Sequence, residues 1–138
     1  MASTFSRATA AVNAEAAAVC ALLNGGKLCI YGGTQPARAD ILVSGQPCLV
    51  EIALPVVAFQ APDLGRAVAY PMAPAVSDTA ARKATWFRAY MADGITSVFD
   101  GSVGRIGGAD DADFVIDEIV IGEGFQVQVI QLVYQAVR

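Results

Sequence analysis

The sequence predicts a mainly β fold: an antiparallel, jelly-roll-like β-sandwich preceded by one N-terminal α-helix. Three observations predict it. Residues 4–23 are rich in alanine and stop at Asn24-Gly25-Gly26, which marks the end of a helix. From Lys27 onward the apolar period changes to two. Short apolar runs then follow one another to the C-terminus, separated by Gly and Pro, enough for about seven or eight strands. A length of 138 residues suits one domain, with the helix in 1–26 and the sandwich in 27–138.

In the helix, Thr4 or Ser6 offers the N-cap, and Val12, Val19, Leu22 and Leu23 share a face with Ala16 between them. Small side chains on that face let another backbone come close, in first place the chain's own sheet and in second place a partner. Lys27–Tyr31 alternates Leu28 and Ile30 against Lys27, Cys29 and Tyr31. Residues 48–56 set Val50, Ile52 and Leu54 against Glu51, and Pro55 confines that strand's end to an edge or a bulge. A turn at 61–65 leads to a short strand over 66–70, stopped by Pro71. Residues 83–91 alternate Thr85, Phe87, Ala89 and Met91 against Trp86, Arg88 and Tyr90, and a second run begins at Ile95. Asp93-Gly94 between them predicts a two-residue type I′ hairpin turn, in which both residues take positive φ. Residues 101–113 read as a long flexible loop, 114–121 as a strand, 122–124 as a turn and 125–138 as a final strand. In that last strand the apolar phase slips by one after Val129, which implies a bulge or a change of sheet.

Composition argues against most chemistry. Hydrophobic residues make up 55% and charged residues 16%, against roughly 25% charged in an average domain. So few charges leave apolar surface for other subunits to cover. A net charge of −4 disfavours nucleic acid as a partner. Every apolar run is interrupted before the ~18 residues of a membrane span, and Glu15 interrupts what would be a signal peptide's apolar region, so the N-terminus reads as mature sequence. The chain has no histidine, which removes the commonest general base and metal ligand. No enzyme activity, cofactor or metal is expected.

Three groups of residues remain as candidates. Cys20, Cys29 and Cys48 are odd in number and form no CxxC pair. They are read either as buried apolar side chains or as thiols open to a disulfide between subunits. Trp86, Arg88 and Tyr90 share one face of a strand, where they can anchor a protein interface, stack on a sugar, or lie in the core with Arg88 reaching over the indole. Asp110, Asp111, Asp113, Asp117 and Glu118 form an acidic group without the spacing of a calcium loop, best read as a solvated rim, with a carboxylate enzyme far behind. Residues 101–108, although rich in glycine, fit neither dinucleotide nor P-loop spacing.

Two segments, LLNGGKLCIYGGTQPARAD (22–40) and ATWFRAYMADGITSVFDGSVG (84–104), together resemble a family of small bacteriophage and prophage virion proteins. The resemblance rests on Gly25, Gly26, Tyr31, Gln35, Pro36, Trp86, Phe87, Arg88, Asp93, Gly94, Asp100 and Gly101, and spans most of residues 1–121. Cys29 departs from it, at a position where the pattern more usually holds a polar or basic residue. The resemblance implies a non-catalytic, β-rich component of the virion, assembled in the bacterial host cytoplasm. Such a component sits on the head surface or at the neck or collar and contacts copies of itself and other virion proteins. The competing expectation is a carbohydrate- or receptor-binding module that uses an exposed Trp86.

Overall fold

The computed structural model describes residues 6–108 and 112–136. One helix, α1 (Thr9–Ala21), precedes the strands β1 (Lys27–Tyr31), β2 (Val50–Ala53), β3 (Arg66–Val68), β4 (Ala75–Val76), β5 (Arg82–Lys83) and β6 (Trp86–Tyr90). After them come β7 (Ser97–Arg105), β8 (Phe114–Ile116), β9 (Val120–Ile121), β10 (Gln126–Val127) and β11 (Val129–Gln135). The fold is mainly β. Seven strands form one sheet in the order β2-β1-β6-β7-β8-β11-β3, while β10-β4 and β5-β9 are separate two-stranded ribbons. The sheet curls, because Ile52 at one end and Ala67 and Leu132 at the other belong to the same core as Leu28, Ile30, Phe87 and Phe114. Full burial of side chains of this size contributes about 1.5–3 kcal/mol each.

The sheet is mixed, which corrects the expectation of purely antiparallel pairing: β7 and β8 run parallel, Val103 opposite Phe114 and Arg105 opposite Ile116. Parallel neighbours ordinarily need a crossover of a dozen or more residues. Here only residues 106–113 intervene, and close contact makes so short a return feasible. Asp113 Oδ2 accepts the Ser102 N–H at 3.1 Å, and the Asp113 N–H donates to Ser102 Oγ at 3.1 Å. A Cβ on Gly104 would lie 2.8 Å from that of Ala112, and one on Gly101 would lie 2.6 Å from the Phe87 ring. The glycines expected to belong to a flexible loop therefore sit within or beside β7, where side chains would push the return segment and Phe87 away.

α1 starts at Thr9, later than expected, and Ala8, not Ser6, is its N-cap and makes no side-chain hydrogen bond, while Thr4 lies outside the described residues. Its buried stripe is Val12, Ala16 and Cys20, continued by Leu23, whereas Leu22 is exposed. The helix packs against β3 and β11. Gly65 permits the approach, since a Cβ there would meet Val12 Cγ1 at 2.3 Å, and the Gly65 N–H donates to Asn13 Oδ1 at 2.7 Å.

The two tight turns exchange roles relative to the sequence reading. Asp63 and Arg66 exchange both backbone hydrogen bonds at 2.9 Å, and Leu64 (φ 51°) and Gly65 (φ 76°) form the two-residue turn with both φ positive. At the β6–β7 hairpin only Gly94 has positive φ. The loop is longer there: the Met91 N–H donates to the Thr96 carbonyl, and Asp93 Oδ1 accepts the N–H groups of Ile95 at 2.8 Å and Thr96 at 2.9 Å. Its side chain ties the loop together locally, so Asp93 has no need of a left-handed backbone.

The expected strand over 114–121 is broken into β8 and β9, because Asp117 Oδ1 accepts the N–H groups of Glu118 and Gln128, both at 3.1 Å. The phase slip in the last strand is a bulge at Ile130, between the Val129–Ile116 and Gln131–Val115 pairs. The chain also changes partners there, from β4 to β8 and β3.

Two outcomes follow. Leu64→Asn should raise stability by about 1 kcal/mol, since the left-handed region costs an ordinary L-residue about 1–2 kcal/mol and asparagine less; equilibrium urea unfolding measures it, and no gain would mean that Leu64 is unstrained. The Thr96 hydroxyl and then the Ile95 and Thr96 N–H groups hold the Asp93 carboxyl below its usual range. Its contribution is thus present above the ordinary carboxylate pKa and is lost as pH falls through the folded value. Asp93→Ala should flatten the acid limb of a stability–pH profile, and an unchanged limb would remove Asp93 from it.

Candidate functional site

The strands β1, β6 and β7 present one face to the main core and the other to residues 32–49, a segment with no strand of its own. Strand alternation puts Cys29, Tyr31, Trp86, Arg88 and Tyr90 on this second face, as the sequence predicts for the last three. Arg88 is itself buried, 2% exposed, and does not reach over the indole into solvent. Its Nε donates to Asp100 Oδ1 at 2.6 Å and its Nη2 to Asp100 Oδ2 at 2.9 Å, a two-pronged pair across β6 and β7. Nη1 donates to the Ile41 carbonyl at 2.6 Å and Nη2 reaches the Arg38 carbonyl at 3.5 Å. Hydrogen bonding to Asp100 holds the guanidinium pKa above its already high value.

Arg88 thus fastens the 32–49 strap to the sheet, and its neighbours add further ties. The Trp86 Nε1–H lies 2.8 Å from Gln46 Oε1 and 3.3 Å from the Gly32 carbonyl. Ser97 Oγ donates to the Ala39 carbonyl at 2.8 Å, and Thr85 Oγ1 to that of Gly33 at 2.7 Å. A strap without ladder partners must satisfy its carbonyls in this way or leave them to solvent. Trp86, 1% exposed, is stacked on Tyr31 at a centroid distance of 4.5 Å and lies under the Arg88 guanidinium at 5.5 Å. The indole faces that would bind a sugar are covered. Among the described residues every buried side-chain polar atom has a hydrogen-bond partner. This arrangement serves as a fastener.

At one margin of the strap lies a second cluster. Cys29 stands opposite Glu51 in the β1–β2 ladder, and Cys48, just before β2, turns toward the same face. The two thiols and the Glu51 carboxylate lie within 4.8 Å of one another. Cys29 Sγ is 3.9 Å from Glu51 Oε1, Cys48 Sγ is 3.3 Å from the Val50 carbonyl, and Lys27 Nζ donates to Glu51 Oε1 at 3.1 Å. Interaction with the neighbouring Cys48 thiol lowers the Cys29 pKa against the opposing effect of burial, whereas Cys29 and burial together raise that of Cys48, so one proton leaves more readily than the other. Nothing in the sequence points to this cluster: spacings of 19 and 3 residues match no metal motif, and only the ladder register brings the groups together.

The other candidate residues are placed as follows. All three cysteines are free; Cys20 and Cys29 are buried, and only Cys48 is partly exposed. Burial raises the Cys20 thiol to about 11 and makes it an inert member of the helix–sheet contact. Asp110 and Asp111 lie outside the described residues. Asp113 and Asp117 are occupied with backbone donors, and Glu118 accepts the Ile119 N–H at 2.9 Å. No helix among the described residues is long and apolar enough to cross a membrane.

Asp100→Ala should destabilise the protein by about 3–5 kcal/mol, because it leaves a buried guanidinium unpaired. The double variant Arg88→Met, Asp100→Leu should recover most of that loss. Urea unfolding of both single variants and the double variant tests the coupling, and simple additivity would mean that the pair does not act as a unit. No protein-family model, curated protein or solved structure matches this chain.

Proposed function

We propose that the protein is a non-enzymatic structural subunit of a bacteriophage particle, a neck, collar or head-decoration component that acts by binding copies of itself and other virion proteins. The observation that carries this reading is the apolar surface at one end of the sheet. β1 begins there at Lys27, opposite Ala53 at the end of β2 and Tyr90 at the end of β6. Ile95 and Leu42, exposed by 81% and 87%, stand at that end, and Val56, 84% exposed, follows the end of β2. Leu42 and Ile95 line a shared groove of about 410 Å³ with Tyr90 and Lys27. Large aliphatic side chains gathered in this way are what a repeating subunit presents to a neighbour.

The resemblance of residues 22–40 and 84–104 to phage virion proteins supports the same reading, and so do the structural roles of the residues that carry it. A Cβ on Gly26 would lie 2.1 Å from the Tyr90 carbonyl oxygen, and Gly101 makes room for Phe87. Tyr31, Trp86, Arg88 and Asp100 clamp the strap. They are framework residues. We take the curl of the sheet over its own core to do the work of a sandwich's two layers.

Native mass spectrometry and sedimentation of the purified chain should show a closed oligomer, and Ile95→Lys with Val56→Lys should convert it to a folded monomer. A wild-type monomer at all attainable concentrations would sink the self-assembly reading. Absence of the protein from purified particles of its phage would sink the virion assignment.

A further inference from the structure

We propose that Cys29, Cys48 and Glu51 form a binding site for one thiophilic divalent cation of the zinc class. Two thiols and a carboxylate already converge within 4.8 Å. A tetrahedral ion with metal–sulfur bonds of about 2.3 Å requires sulfurs about 3.8 Å apart, so modest side-chain rotation closes the site. Two sulfur ligands select zinc or cadmium over magnesium or calcium, which take oxygen. The fourth position falls to water or to the Val50 carbonyl, which is already 3.3 Å from Cys48 Sγ.

The surroundings fit such an ion. Lys27 Nζ holds Glu51 Oε1 at 3.1 Å, orienting the carboxylate and leaving Oε2 free to ligate. Two thiolates, one carboxylate and the Lys27 ammonium together balance the charge of a divalent ion. Binding releases the two thiol protons to solvent and transfers no electrons. Tyr31, Trp86 and Val43 pack against the sulfur side and keep it dry. On the other side Cys48 and Glu51 open onto a cleft of about 430 Å³, bordered by Ser77 and Asp78, through which an ion can enter. A bound ion would join β1, the strap's end and β2, and would stabilise the fold by mass action. The site stands independently of what the chain assembles into.

The test uses the reduced, full-length, metal-free protein titrated with Cd(II) and, separately, with Zn(II). One ion per chain by native mass spectrometry, thiolate-to-cadmium charge-transfer absorption and a rise in Tm with Zn(II) are expected. Cys48→Ser should abolish the charge-transfer band's two-sulfur intensity. Glu51→Gln, at an exposed position that leaves folding intact, should weaken binding by about tenfold or more, the scale on which even outer-shell partners act. Cys20→Ser should bind as wild type does. Binding unchanged in Cys48→Ser and Glu51→Gln, no uptake below millimolar metal, or a reduced chain that oxidises to a Cys29–Cys48 disulfide in preference to taking up the ion would overturn the proposal.

Discussion

The buried pair between Arg88 and Asp100 constrains more of this molecule than any other contact. A guanidinium taken out of water loses several kcal/mol of hydration and regains it only if its donors are met with good geometry. Asp100 accepts two of the five N–H donors from the neighbouring strand, and the carbonyls of Ile41 and Arg38 accept two more from the strap. The charge on β6 therefore dictates where an otherwise irregular segment must lie. An apolar residue at 88 could pack just as well, but it would not choose among the positions open to the strap.

Everything on that face follows from this closure. With the strap in place, Trp86 loses its solvent face and gains Gln46 as a partner, while Tyr31 and Tyr90 join hydroxyls at 3.2 Å. Cys48 is carried to the margin of the strap and turned toward Cys29. The apolar tip residue Leu42 is left pointing outward beside Ile95. Burial of the polar side chains and exposure of aliphatic ones are thus two sides of one arrangement.

The opposite face obeys simpler physics. Leu28, Ile30, Phe87 and Ala89 are placed by strand alternation alone, and the Phe87 ring meets Phe114 edge-on at 5.2 Å. Glycine decides how tightly the layers close: Gly65 admits the helix, Gly101 admits Phe87 and Gly104 admits Ala112. A Cβ at any of these points would have to displace a neighbour packed at close to crystal density.

The sequence by itself determined the helix, the period-two strands that flank Gly and Pro, the face shared by Trp86, Arg88 and Tyr90, and the bulge near Ile130. Each of these is a local matter of side-chain period or turn chemistry, legible within about ten residues. Only the tertiary structure decided that β7 and β8 run parallel, that Leu64-Gly65 takes the tight turn in place of Asp93-Gly94, and that Arg88 is buried against Asp100. Likewise, Cys29, Cys48 and Glu51 meet only because the β1–β2 register sets 29 opposite 51. Pairings between distant segments depend on which strands become neighbours, and a period along the chain carries no information about that choice.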